Sequence, residues 1–326
     1  MSRTRASGRR LVLAGAVWAV AAFCGMTAQQ PSLTTPSIPA FTAGDPLREA
    51  RRLEDANRFA EAERRLRDYL SEDDLSGEAH ELLAYALLRQ NRPKEALPEY
   101  TRAAKLQKPS ATMLVHVGQA YVLLGDDADA DKWTLRAVEM DPNDPDGWYA
   151  LGRIRYTEQR FAEALTCFQR VLALAPQSVK GENNLGLAYE ALNQPEAAMA
   201  AYRQAIAWQN QGPARARSEQ PLINLATMLV HQSKSAEAEP LLVQAASIAP
   251  NNASVHEQLG HVFLQKSDLA GAQREFARAC ALEPGRSSLH FLLGQAYKRL
   301  GRTHEAQGEF ATAARLAREQ TTSHVP

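Results

Sequence analysis

Cysteine is scarce in this chain of 326 residues. It occurs three times, and no two cysteines form a CxxC pair. Cys24 lies in an apolar segment near the start, which leaves Cys167 and Cys280 far apart in the body of the chain. Secreted proteins that depend on disulfides carry many more cysteines, and thiolate metal sites need closely spaced ones. The sequence therefore excludes a disulfide framework and argues against a thiolate metal site.

The motifs of common catalytic sites are also missing. The sequence contains no HExxH, no GxSxG and no glycine-rich phosphate-binding loop. His256 and His261 are five residues apart, whereas two ligands on one helical face are usually separated by four. Paired acids such as Asp126 and Asp127 are expected in turns, where exposed acids are usually solvated. We therefore predict no catalytic residues, no metal site and no cofactor, and we expect that the protein is not an enzyme.

Neither sign of charge is in excess, because the chain has 37 Lys and Arg residues and 37 Asp and Glu residues. Four of the bases, Arg3, Arg5, Arg9 and Arg10, precede the first acid, Asp45, so 33 bases remain against 37 acids. Non-specific binding of nucleic acid requires a basic patch. We therefore expect no nucleic-acid partner.

Residues 1–28 have the pattern of a secretory signal peptide. Four arginines precede an apolar run of about 14 residues that ends at Cys24, and small residues follow up to Ala28. A membrane-spanning helix needs about 20 apolar residues, so cleavage is favoured over an uncleaved anchor. A lipid on Cys24 is another alternative, although Phe23 stands where a lipobox has a small residue. We expect an exported protein, periplasmic or secreted, with a membrane-anchored form that faces the periplasm as the alternative.

A repeat of 34 residues fills most of the remaining chain. Residues 29–42 are rich in Pro, Ser and Thr, which is typical of an extended linker, and residues 321–326 form a tail. Between them we number eight units from 1 to 8, with one insertion after unit 5. The units are 43–76, 77–110, 111–144, 145–178, 179–212, then the insertion 213–218, and 219–252, 253–286 and 287–320.

Small residues recur at fixed positions of these units. Position 20 is alanine in every unit, and position 8 is glycine or alanine. Two helices approach closely only where side chains are small, and overpacking such a crossing costs about 1–3 kcal/mol. Bulky residues at positions 7 and 24 complete an apolar face on each predicted helix. The signature comprises Gly118, Ala130, Trp148, Gly152, Ala164, Gly186, Ala198, Ala238, Gly260, Ala272, Gly294 and Ala306.

Turn residues agree with this periodicity, and a few residues depart from it. Position 15 is Asn or Gly in five units, which favours a left-handed end to the first helix, and Pro at position 32 in four units ends the second.

Arg155 replaces an apolar residue at position 11, and Thr134 replaces an aromatic residue at position 24; we expect Tyr156 and Trp133 to compensate. We expect the last helix to present a polar outer face, and the insertion is either a loop or an extension of the flanking helices.

Unit 4 resembles the tetratricopeptide repeat (TPR) pattern. The matching residues are Trp148, Leu151, Gly152, Ala164, Phe168 and Pro176. The resemblance covers residues 43–320 and implies an all-α fold, an α-solenoid in which about eight TPR helical hairpins form a right-handed superhelix. It also implies that the first helix of each unit lines a concave groove that binds a protein or peptide.

Positions 2, 5, 9, 12 and 13 face the groove in that family, and position 6 contributes to the carboxylate clamp of its chaperone-binding members. Carried onto this chain, they give a candidate partner-binding site in the middle of the groove. Its residues are Tyr149, Arg153, Tyr156, Lys180, Asn183, Asn184, Asn224, Thr227 and His231. Asn184, Asn224 and Lys180 match part of the clamp with which chaperone-binding members hold a terminal carboxylate. Because the remaining clamp residues are missing, we predict no carboxylate-clamp binding.

The function that follows is a non-catalytic scaffold for protein interactions in an envelope-associated complex. Many exported bacterial TPR proteins serve pilus, secretion or polysaccharide-export machinery. An assembly factor tethered to the membrane through Cys24 or an uncleaved anchor is the first alternative, and an enzyme with a site assembled across repeats is the second.

Overall fold

The computed structural model describes residues 45–322, and the predicted leader and linker lie outside this range. Within it the chain forms sixteen α-helices, α1 to α16, with one short 3₁₀ turn and no strand. The helices are α1 Pro46–Asp55, α2 Phe59–Glu72, α3 Gly77–Arg89, α4 Pro93–Leu106, α5 Ala111–Leu124, α6 Asp127–Met140, α7 Pro145–Thr157, α8 Phe161–Leu174, α9 Val179–Ala191, α10 Pro195–Gln211, α11 Gln220–His231, α12 Ser235–Ile248, α13 Ala253–Gln265, α14 Leu269–Leu282, α15 Ser287–Arg299 and α16 Thr303–Thr322. Each unit contributes one antiparallel pair, so the predicted all-α solenoid of eight hairpins is confirmed.

Polar side chains at position 34 start the first helix of the next unit. Ser76, Ser110, Asp144, Ser178 and Asn252 each accept a hydrogen bond from a backbone N–H in the first turn, at 2.9–3.2 Å. These bonds satisfy donors that a helix start leaves unpaired. The register of the array is thus fixed by caps as well as by apolar packing.

The turn between the two helices of a unit is the same throughout the array. All eight residues at position 15 have a positive φ, between 56° and 76°. Asn and Gly were predicted to adopt this conformation in five units, and they do. Gln159, Ser233 and Ser267 adopt it in the other three, because the tertiary packing of the hairpin overrides the weaker preference of these residue types.

Glycine at position 8 makes room for an aromatic ring rather than for a backbone. A Cβ atom built on Gly152, Gly186, Gly260 or Gly294 would lie 2.4–2.7 Å from Cε1 of the ring at position 24 of the same unit. Those rings belong to Phe168, Tyr202, Phe276 and Phe310. The prediction that small residues are needed here is confirmed, but their role is to seat a ring from the second helix between the two helices.

At four junctions, a side chain at position 4 bridges to the preceding unit. In units 2, 7 and 8 a histidine places Nε2 3.1 Å from the carbonyl oxygen at position 32 of the preceding unit and Nδ1 2.6–2.7 Å from a glutamate at position 23 of its own unit. The histidines are His80, His256 and His290, and the glutamates are Glu99, Glu275 and Glu309. Trp148 in unit 4 donates to the same kind of carbonyl, that of Pro142, at 2.9 Å.

Arg155 and Thr134, which depart from the repeat pattern, are not accommodated as the sequence predicts. Arg155 is compensated by Asp131 of the preceding unit, whose carboxylate lies 3.1 Å from Nε, and not by Tyr156, which packs against Phe161. Thr134 is fully buried, and its hydroxyl occupies the space that a side chain on Gly118 would fill. A buried charge needs a paired charge, which is why the arginine selects an acid rather than a ring.

The insertion and the last unit depart from the regular array. Helix α10 is extended to Gln211, and a 3₁₀ turn, Ala214–Ala216, leads to α11. At the other end α16 carries Arg315 and Glu319 as an exposed ion pair. However, an open apolar groove of about 500 Å³ lies between α15 and α16, lined by Phe291 and Phe310 among others. The expected polar outer face of the last helix is therefore only part of its surface.

Candidate functional site

The first helices of the units form one layer of the array. Among the described residues, direct contacts join α1 to α3, α3 to α5, α5 to α7, α7 to α9 and α11 to α13, whereas no two second helices make comparable contact. Helices that line the inner side of a curved array lie closer together than those on the outer side. The groove expected from the TPR resemblance therefore lies on the layer formed by the first helices.

Tyr149 is the centre of the predicted site in the middle of this groove. Its hydroxyl accepts a hydrogen bond from Nδ2 of Asn184 at 3.2 Å. Nζ of Lys180 lies 4.8 Å from its ring centroid, and the guanidinium carbon of Arg153 lies 6.0 Å from it. Both are distances at which a cation interacts favourably with an aromatic ring. Residues from α7 and α9 are thus brought together around one half-buried tyrosine.

Two of the site's polar side chains, Lys180 and Asn184, already have partners within the protein. Lys180 forms an ion pair with Asp146 at 2.5 Å, and Asn184 also donates to the carbonyl of Lys180 at 2.8 Å. Both N–H groups of the Asn184 amide are therefore used within the protein, and the charge of Lys180 is shared with Asp146. The prediction that this groove lacks a carboxylate clamp stays a prediction, and these contacts are consistent with it.

The next part of the site, towards α11, is built on an amide pair. Asn224 donates to Oδ1 of Asn183 at 3.0 Å, and Asn183 is only 8% exposed. Asn183 therefore positions Asn224 and is not itself presented to a ligand. Thr227 is half-buried and His231 is exposed. Burial, and to a lesser extent the neighbouring His231, lowers the pKa of His261 on α13.

Tyr156 belongs to a second polar group in the same groove. Burial, and to a lesser extent the negative charge of Glu190, raises its pKa above the ordinary value. Glu190 accepts a hydrogen bond from the hydroxyl of Tyr202 at 3.0 Å. The middle groove thus offers tyrosines, amides and charges of both signs, which is the mixture that anchors protein interfaces.

A further aromatic cluster, which the sequence analysis did not predict, lies on α3 and α5. The rings of Tyr85 and His116 stack with their centroids 4.6 Å apart and their planes 28° apart. Arg89 donates to the Tyr85 hydroxyl at 2.7 Å, and its guanidinium carbon lies 4.4 Å from the ring centroid of Phe59. Burial, with a smaller contribution from Arg89, lowers the pKa of His116 to about 4. Tyr85 at position 9 and Arg89 at position 13 were the available signals.

Within the part of the chain that the structure describes, no other cluster of side chains indicates a catalytic or metal-binding site. No three or more His, Cys, Asp or Glu side chains converge on a point within residues 45–322. Cys167 and Cys280 are both buried, and burial raises the pKa of each thiol, that of Cys280 to about 12. Between Asp45 and Thr322 no helix combines the length and the apolar character needed to cross a bilayer.

Comparison with protein families shows which family this architecture represents. A tetratricopeptide repeat model matches four segments, 47–111, 84–145, 149–214 and 257–321, which together cover more than half of the chain. The chain belongs to the tetratricopeptide repeat family. TPR arrays are generally non-catalytic scaffolds for protein interactions, and a protein-interaction role follows for this chain at that level.

One curated relative is Protein FlbA of Caulobacter vibrioides, which is 32% identical over 182 residues. That alignment covers 54% of this chain but only 29% of FlbA, so the two proteins share a part and not their full lengths.

Solved structures show the same fold at low sequence identity. The TPR protein of Parabacteroides merdae has a TM-score of 0.60 and 17% identity, over 77% of this chain and 97% of its own. The Cut9–Hcn1 hetero-tetramer of the APC/C gives a TM-score of 0.62 at 14% identity, over 83% of this chain and 52% of the matched chain. PilW, a type IV pilus biogenesis factor, has a TM-score of 0.55 and 19% sequence identity, over 61% of this chain and 90% of its own.

Proposed function

We propose that this TPR protein is a non-catalytic scaffold that binds a protein or peptide in the groove formed by its first helices. The observation that carries the proposal is the group around Tyr149, where Arg153, Lys180 and Asn184 from two units surround one half-buried ring. Tyrosine supplies rigid contact area, and arginine supplies directional donors, so residues of this kind dominate the binding energy of interfaces.

Replacing Tyr149, Arg153 and Tyr156 together with alanine tests this groove. We expect the variant to lose its partner in affinity capture from cell-envelope extract, because truncating an interface anchor costs about 2 kcal/mol or more. A matched control replaces Lys132 and Val243, exposed residues of the second helices α6 and α12, with alanine. Capture of the same partner by both variants would contradict the groove assignment.

We further propose that the protein is exported and acts in an envelope-associated assembly. The leader pattern of residues 1–28 supports export, and the likeness of fold to the pilus factor PilW is compatible with an envelope role. Intact mass of the protein isolated from its native cells tests this point. Cleavage near Ala28 without an added lipid is the expected result.

Cys24 supports one alternative, a membrane-tethered assembly factor for pilus, secretion or polysaccharide-export machinery. A mature protein that begins at Cys24 and carries the mass of a lipid would establish that alternative. A full-length chain in the membrane fraction would indicate an uncleaved anchor.

A further inference from the structure

Three contacts between units place a histidine ring between two hydrogen-bond acceptors. Nδ1 lies 2.6–2.7 Å from a carboxylate oxygen of the same unit, and Nε2 lies 3.1 Å from a backbone carbonyl oxygen of the preceding unit. Both separations are hydrogen-bond distances. The pairs of ring and carboxylate are His80 with Glu99, His256 with Glu275, and His290 with Glu309.

The two hydrogen bonds need one proton more than a neutral ring supplies. A neutral imidazole has a single N–H, and its other nitrogen is an acceptor. Neither an ionised carboxylate nor a carbonyl can donate. Both bonds therefore form only when an additional proton is bound. That proton resides on the ring, because a carboxylic acid is a stronger acid than an imidazolium ion, with ordinary pKa values of about 4.3 and 6.5.

The rings are shielded from water, which could otherwise supply a missing hydrogen bond. The side chains of His80 and His256 are 1% and 4% exposed, and that of His290 is 13% exposed. Beside His80, a carboxylate oxygen of Asp74 lies 3.5 Å from Nε2, so its charge favours a protonated ring. Arg102 on α4 pairs with the glutamate partner of the same ring at 3.4 Å.

The groups beside the other two rings come from α14. Arg278 donates to the carbonyl that faces His256, at 3.3 Å, and its charge opposes protonation of that ring. Cys280 interacts with the glutamate partner of His290, but burial raises the pKa of its thiol to about 12, so it adds no charge near neutral pH. At each ring the charge in direct contact is therefore that of the glutamate.

The histidine and the glutamate occur together in the repeats. Units 2, 7 and 8 have both, and none of the other five units has His at position 4 or Glu at position 23. Unit 4 makes the same bridge without a proton, because the indole N–H of Trp148 is a permanent donor to the Pro142 carbonyl, and Cys167 stands at position 23. The chain thus contains two forms of one contact, and only one of them needs an extra proton.

We propose that the contacts between units 1 and 2, 6 and 7, and 7 and 8 are proton-dependent joints, each held by a histidine in its imidazolium form. A free imidazolium ion loses its proton around pH 6.5, so near neutral pH the closed contact holds a proton that the opened chain releases. The stabilisation is fully present below about pH 6.5 and is lost as the pH rises. Because these contacts attach the ends of the array, a rise in pH loosens units 1, 7 and 8 and leaves units 2 to 6 together.

Nitrogen NMR of the full-length protein tests the protonation state of each ring. With ¹⁵N-labelled histidine, a ring that carries two N–H groups is distinguished from one with a bare nitrogen, and single substitutions assign the signals. At pH 7 we expect protons on both nitrogens of His80, His256 and His290. The exposed His304 should be mostly neutral at this pH and serves as the control. A bare nitrogen in the three rings at pH 7 would overturn the proposal.

Amide exchange between pH 7 and 8.5 tests the consequence for the array. After correction for the pH dependence of chemical exchange, protection in units 7 and 8 should fall by up to about tenfold per pH unit for each histidine whose contact opens. Units 3 and 4, which are joined through Trp148, should change little. Unit 1 is left out of this comparison, because burial raises the pKa of Glu54 to about 7 and this group also destabilises the folded state as the pH rises.

A matched variant copies the contact of unit 4 into unit 7. His256→Trp together with Glu275→Cys reproduces the combination of Trp148 and Cys167. The contact between units 6 and 7 should then lose its pH dependence, and the contact between units 7 and 8 should keep it. Equal protection of units 7 and 8 at pH 7 and 8.5 in the parent protein, or an undiminished pH dependence in the variant, would contradict the proposal. The NMR measurement uses the parent chain and decides the proposal whether or not the variant folds.

Discussion

Replacing Gly260 with alanine should destabilise unit 7, although alanine is the better helix former. A Cβ at this position would lie 2.4 Å from Cε1 and 2.6 Å from Cδ1 of Phe276, so the ring must move. Overpacking of this kind costs about 1–3 kcal/mol, whereas alanine recovers about 1 kcal/mol of helix propensity. We expect a net loss of up to about 2 kcal/mol in the free energy of unfolding.

The matched control is Gly308→Ala in α16. Gly308 is exposed, and no atom lies within 4 Å of the added Cβ, so this change should stabilise the protein by up to about 1 kcal/mol. Urea unfolding followed by circular dichroism gives the overall change, and amide exchange shows whether it is confined to unit 7, since repeat arrays open locally.

A second substitution tests the cause of the predicted loss. Phe276→Leu in the Gly260→Ala background should recover part of the stability, because unit 6 already combines Ala226 with Leu242. Unit 2 shows that alanine and a ring can also coexist, in Ala84 and Tyr100, when the surrounding residues are adapted to both. If Gly260→Ala stabilises the protein as Gly308→Ala does, the explanation that Gly260 makes room for the ring of Phe276 is refuted.

Three further substitutions have defined outcomes. Asp131→Ala should lower the free energy of unfolding by about 1–3 kcal/mol, because the largely buried Arg155 then keeps only the more distant Glu163 carboxylate, at 3.6 Å; thermal melts check this, with the half-buried Asp129→Ala as control. His256→Phe should cost about 1–3 kcal/mol, because Glu275 loses the ring nitrogen 2.7 Å away and the Pro250 carbonyl keeps only its longer contact with Arg278; an unchanged urea midpoint would show that His256 does not stabilise the contact between units 6 and 7. Glu54 has a pKa raised from 4.5 to about 7, so its proton is held more tightly in the folded state and stability is lost as pH rises through 7. Glu54→Gln should therefore be more stable than the parent by about 1 kcal/mol at pH 8 and should differ little at pH 5, as measured by thermal melts at both values.

The hairpins could be predicted from the sequence because many weak signals coincide at one period. Position 20 is always alanine, position 8 is always small, and prolines follow the second helices, so errors at single residues do not shift the register. The left-handed turns at Gln159, Ser233 and Ser267 were missed because these residue types do not indicate that conformation on their own.

The polar contacts between elements were harder to predict, because both partners must be known together. Arg155 and Asp131 lie on different units, and either alone resembles an ordinary surface residue. The spacing of 19 residues between His80, His256 and His290 and their glutamates recurs three times and could have been found.

The candidate site was predicted only to the level of the groove. The family pattern nominated Tyr149, Lys180 and Asn184, and the structure brings these three together. It buries Asn183, which the same pattern places in the groove, because position 5 of α9 turns towards Asn224. The stack of Tyr85 on His116 was missed because the groove positions mark Tyr85, but nothing in the sequence indicates that His116 of the next unit packs on its ring.

Site-specific photo-crosslinking tests the central claim most directly. A benzoylphenylalanine residue placed at Thr227 in the groove, or at the exposed Val243 on the second helix α12, reports which side of the array contacts the partner. The scaffold account predicts a single crosslinked partner from Thr227, which disappears when Tyr149, Arg153 and Tyr156 are replaced with alanine, and no crosslink from Val243. The opposite result, with a partner crosslinked from Val243 and none from Thr227, would contradict binding in the groove.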